Sequence, residues 1–256
     1  MIGDVLQVLV LLAVVIGYFH LARRAENNLY LIFAALSTAT LMISTVYYVT
    51  HSFLREGMRV PFAANDIADF GTFLLMSAAL RSALGTGKGR LRGVMLAAAA
   101  FAVANVCLWI CWSGEWVRDI LGGLSFGYFI CVCIRSVYLT EAMGRWERAV
   151  MWILCAVLIA VQVAALVTED PLHLILDTAG YGLLSLGEAL LMLRIVLTFR
   201  AGDRCDAALS LCYFAFCWNA VAMYMSAGVY YTVFANLMTL YALLVLFATW
   251  KKVKAA

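Results

Sequence analysis

The chain has 256 residues, of which 66% are hydrophobic and 13% charged, with a formal net charge of +3. Such a composition excludes a soluble domain of this size and any basic nucleic-acid-binding surface, and it identifies an all-α, polytopic membrane protein embedded in a lipid bilayer. The sum of the charges says little; the side of the membrane on which each lies says more.

Nine apolar segments are expected to span, at roughly 4–22, 28–50, 66–85, 93–113, 117–138, 147–167, 172–199, 206–226 and 229–250. The first is not expected to be a cleaved signal peptide, because residues 1–4 carry no base and Arg23 and Arg24 follow the apolar run. Connections are short, so neighbouring spans are expected to pack as antiparallel hairpins. With nine spans, 15 of the 18 Lys and Arg residues fall at one end of the bundle, and only Arg55, Arg59 and Arg118 at the other. The positive-inside rule then places the N-terminus outside, the C-terminus in the cytoplasm and the protein in the cell membrane. The outer end carries nine acids, among them Asp66, Asp69, Asp119 and Asp177, a field that favours cations.

After the first span the chain reads as one transmembrane domain of four hairpins, about 28–92, 93–148, 149–204 and 205–256. Each returning helix has a polar residue near its outer end and a base near its inner end: Asp66 with Arg81, Asp119 with Arg135, Asp177 with Arg194, Asn236 with Lys251. Duplication of a hairpin would give this pattern. So would the preference of acids for helix N-termini and bases for C-termini, together with positive-inside sorting.

In the third span Asp66 and Asp69 stack on the first turn, with Arg55 and Arg59 near enough in sequence to neutralise them. His51 and His173 stand at the outer ends of the second and seventh spans and could join Asp66, Asp69, Asp119 and Asp177 around one vestibule. None of these residues shows metal-ligand spacing, so no metal is assigned. In span four, Cys107 and Cys111 share a face but read as small apolar residues. In span five, Gly123 and Gly127 leave room for a helix to approach closely.

The seventh span appears as the organising stretch. Asp177 and Glu188 differ by eleven residues and fall on nearly one helical face, with Tyr181 and Leu184 between them. A carboxylate at the depth of Glu188 is expensive unless protonated, paired or wetted. Gln162, Ser185 and Asn219 are the polar neighbours expected near it. Ser185 lies in a helix and lacks the strand-to-helix elbow of a nucleophilic serine.

No span contains Lys, so a retinal Schiff base has no attachment point, and HExxH, P-loop and dinucleotide signatures are absent. No cofactor is specified by the residues. Three functions remain: transport of a small cationic or proton-coupled solute through acidic residues, a ligand-sensing or assembly subunit that meets a protein partner at its basic cytoplasmic face, and a membrane-embedded enzyme using the outer acids with His51 or His173. Glu188 at mid-depth favours transport, because a sensor needs only an outer pocket.

Overall fold

A computed structural model describes residues 2–25, 29–52, 63–85, 91–113 and 116–255, with side chains over these ranges except at 2, 4, 48, 51, 52, 63–67, 112, 113 and 116–119. The described residues form nine helices and no strand: α1 (Ile2–Arg24), α2 (Leu29–Ser52), α3 (Ala63–Leu84), α4 (Arg92–Ser113), α5 (Trp116–Leu139), α6 (Arg145–Leu166), α7 (Leu172–Ala201), α8 (Cys205–Tyr224) and α9 (Gly228–Ala255). Eight are long and apolar enough to cross a membrane; α3, which carries Asp66, Asp69 and Arg81, is not among them. The ends agree with the sequence reading to within three residues, except that α9 continues five residues further, through its lysines. The protein is a multi-pass helical membrane bundle in contact with lipid.

The helices pack in a ring and an outer layer. α1 packs on α2, α2 on α3, α3 on α5, α5 on α8, α8 on α9, and α9 returns to α1. Outside this ring α4 lies on α5, α7 on α8, and α6 on α7. Two pairs adjacent in sequence, α3 with α4 and α5 with α6, do not pack along one another, which corrects the expectation of a hairpin at every connection. The reason is that α5 inserts against α3 and α8 and holds α4 on its far side.

The hub is α8, not α7. Sixteen consecutive residues of α8, Ala207 to Ala222, are buried on every side, whereas α7 buries only a stripe through Gly180, Leu184, Gly187, Glu188, Leu191, Ile195 and Thr198. A helix buried all round needs small residues so that several neighbours can approach, and α8 supplies Ala207, Ala208, Ser210, Cys212, Ala215, Cys217, Ala220 and Ala222. Gly123 and Gly127 serve the same end on α5, facing Val106 and Ala102 of α4.

The described basic residues gather at the end of the bundle where α9 finishes, many of them tied to that end. Arg194 donates to the Ala142 carbonyl at 3.0 Å and lies 3.5 Å from Glu147. Arg204 donates to the Glu141 carbonyl at 2.6 Å, and Lys252 pairs with Asp206. If this end faces the cytoplasm, a C-terminal fluorescent-protein fusion will be bright and a C-terminal alkaline-phosphatase fusion inactive. The opposite pair of results would invert the orientation.

Candidate functional site

Five helices of the ring leave a cavity of about 250 Å³ at the N-terminal end of the bundle. Its polar wall is Gln7 of α1, Ser44 and Thr45 of α2, Asp69 and Thr72 of α3, and Thr239 of α9. Its apolar wall includes Leu11, Leu41, Phe73, Met223 and Met238. Tyr224 and Tyr231 complete it, and no Lys or Arg is found among its described lining residues.

Local sequence explains how these groups meet. On α3, Asp69, Thr72 and Phe73 share one face by their three- and four-residue spacing, as do Leu41, Ser44 and Thr45 on α2. The hydroxyls of α2 and α3 satisfy themselves against their own helices, which lets polar groups line the space without orphaned donors: Thr72 donates to the Ala68 carbonyl at 2.8 Å and Thr45 to the Leu41 carbonyl at 3.0 Å. Gln7 donates to the Ala235 carbonyl at 2.9 Å and so fixes α1 to α9 at the rim.

Tyr224, the last residue of α8, orients the carboxylate. Its hydroxyl donates to Asp69 Oδ2 at 3.0 Å while its ring stacks on Trp109 at 4.4 Å and meets Phe126 edge-on at 5.4 Å. A charge-assisted bond of this kind from a ring that cannot swing holds Asp69 toward the cavity. Carboxylate, hydroxyls and aromatic faces together are the groups that receive a small organic cation.

The other acids predicted to share this vestibule do not all meet there. His173 Nε2 lies 3.4 Å from Asp177 Oδ2, one turn away on α7, and His173 Nδ1 is 2.8 Å from the Ala165 carbonyl, which accepts from Nδ1–H in the tautomer that carries a proton there. That pair sits at the head of α7, outside the ring. The side chains of His51, Asp66 and Asp119 lie outside the described residues, as do Arg55, Arg59 and Arg118.

Glu188 occupies a third place. The stripe on α7 faces inward as its spacing requires: Tyr181 stacks on Tyr230 of α9 at 4.4 Å, the Leu184 carbonyl accepts the Trp218 indole N–H at 3.0 Å, and Glu188 Oε2 accepts the Tyr241 hydroxyl. Glu188 Oε1 has no hydrogen-bond partner among the described residues and is closed from solvent. Tyr241 follows the cavity-lining Met238 and Thr239 on α9 but is not itself among the lining residues. Glu188 meets α9 through Tyr241 and is likewise not among the lining residues of the cavity.

Comparison with protein-family models, curated proteins and solved structures gives no match. The site is read from its own geometry.

The remaining polar residues are dispersed. Gln162 is buried against Gly180, with neither amide atom partnered among the described residues, and Asn219 donates to the Phe234 carbonyl at 2.8 Å. Ser185 is exposed on the outer surface of α7 and does not face Glu188, which corrects its placement as a neighbour of that carboxyl. Cys107 and Cys111 are both exposed on α4. Among the described residues no three His, Cys, Asp or Glu side chains converge as a metal site.

Sequence reasoning missed Gln7, Tyr224, Tyr231 and Tyr241. Each lies in a largely apolar run with too few polar residues to show a periodicity that would betray the face it occupies. Tyr224 carried one legible signal: as an aromatic near a span end it reads as interfacial, and the structure gives it to Asp69 instead.

Proposed function

We propose that the protein carries a small organic cation across the cell membrane, and that the solute is taken up in the Asp69 cavity. The supporting observation is the lining: one carboxylate held by Tyr224, a rim of hydroxyls, aromatic faces and no described base. A volume of about 250 Å³ lies just below the roughly 300–1,000 Å³ range of drug-sized sites, which sets the scale to a small amine or quaternary ammonium. Glu188 and the Asp177–His173 pair, outside the cavity lining, are the candidates for exchanging a proton during transport.

Proteoliposomes test this with radiolabelled tetramethylammonium and ethanolamine. Saturable uptake of at least one is expected, and Asp69→Asn should lower it about tenfold, as loss of one charge-assisted contact does, while insertion and yield stay those of the wild type. Glu188→Gln should remove the dependence of uptake on a pH gradient. Wild-type vesicles that take up neither cation, and protein that binds neither, would sink the proposal.

One observation favours a second reading. The cavity occupies only the N-terminal half of the ring, and Glu188 is not among its lining residues. A sensing subunit with a protein partner on its basic cytoplasmic end would need no more than this. Cation binding that depends on Asp69 but is never followed by uptake would select it.

A further inference from the structure

We propose that the crevice between α5 and α6 is a binding site for one anionic phospholipid, with the phosphate on Arg145 and Arg148 and an acyl chain lying along the crevice. The two helices are joined by only five residues yet do not pack along one another, and Phe214 of α8 forms the floor between them. Ile134 and Val137 make one wall and Met151 and Cys155 the other, and the open surface of the crevice is entirely apolar. The crevice is shallow, about 20 Å³, and open to the bilayer, so a hydrocarbon chain lies along its apolar mouth and seats only a methylene or two inside.

What selects the headgroup is at the mouth. The Arg148 guanidinium lies 4.6 Å above the Tyr138 ring, and the Tyr138 hydroxyl accepts the Trp152 indole N–H at 2.9 Å. Tyr138 and Trp152 thus hold the base in place at the end of the slot without using its hydrogen-bond donors. Arg145 stands one turn before it and is exposed, beside Trp146, which is 86% exposed. Among the described residues neither arginine pairs with a carboxylate, whereas Arg194 meets Glu147 and Lys252 meets Asp206. The contrast extends to the groove on the other side of α6: it is also mostly apolar, about 220 Å³, but its arginine is Arg194, already balanced by Glu147. Of the two sides of α6, the α5–α6 side offers two bases without a described carboxylate partner to a phosphate, and the positive-inside orientation faces them to the leaflet where anionic lipids lie.

Native mass spectrometry of the detergent-purified protein tests this, with phosphatidylglycerol and phosphatidylcholine of identical chains titrated separately. One phosphatidylglycerol should be retained at a concentration at least tenfold below that needed for phosphatidylcholine, and excess glycerol 3-phosphate should not displace it. Arg145→Gln with Arg148→Gln should erase the preference, and Arg148→Lys should keep most of it. Cys155→Phe fills the crevice, leaves both bases, and should lower retention of phosphatidylglycerol. Equal retention of the two lipids, displacement by the chain-free phosphate, or undiminished retention in Cys155→Phe would each overturn the site; that last variant decides if the double substitution fails to fold.

Discussion

Trp218→Ala should lower the unfolding free energy by about 3–5 kcal/mol, the usual loss when a large buried aromatic is removed from a packed interior. Trp218 is 2% exposed and stands on the hub helix against Gly187 of α7, and its indole N–H is spent on the Leu184 carbonyl one turn earlier. The indole thus fastens α7 to α8 by shape and by a hydrogen bond at once. A Cβ at Gly187 would fall onto the ring itself, so Gly187→Ala should cost about 1–3 kcal/mol by overpacking. The two effects share one volume. The double variant should therefore be no less stable than Trp218→Ala alone, because the new methyl enters the space the ring has left. Reversible unfolding by SDS in mixed micelles measures all three. Additive losses would show that ring and glycine do not compete for one space.

Tyr241→Ala should be nearly as damaging, about 3–5 kcal/mol, since Tyr241 is 1% exposed and fills the seam between α9 and α7. Tyr241→Phe separates the ring from the hydroxyl. It keeps the packing and strands Glu188, whose other oxygen already has no partner, so a loss of about 1–2 kcal/mol is expected, the size of an interhelical hydrogen bond in a bilayer. Glu188→Gln, which still offers an acceptor to the hydroxyl, should unfold much as the wild type does. Glu188→Leu combined with Tyr241→Phe should recover most of the loss of Tyr241→Phe, because replacing both partners leaves no buried polar group unpaired. The same SDS titrations read this cycle. A zero coupling energy would mean that the two side chains, though adjacent, do not stabilise one another.

How much of this was legible in the sequence differs between helices and site. Helix existence and extent were, because a run of about twenty apolar residues has only one structure that satisfies its backbone in a bilayer. The inward face of α7 was also legible: Asp177, Tyr181, Leu184 and Glu188 recur at helical spacing, and all four face the bundle. What these residues touch was not. Tyr230, Trp218 and Tyr241, which receive Tyr181, Leu184 and Glu188, come from α8 and α9, and a local pattern holds no information about a partner 34 to 53 residues away.

The sequence by itself determined the class, the number and limits of the helices and the segregation of charge, since these follow from hydropathy, chain length and the price of burying a charge in hydrocarbon. Tertiary structure alone decided which helix is central. α7 looked central because it is the most polar, yet α8 is, because its small residues let α5, α7 and α9 close on it from all sides. It also decided that Asp69 lines the cavity while Glu188 and the Asp177–His173 pair lie outside its lining, since helix order around a ring is set by packing and leaves no mark on the periodicity of any one helix.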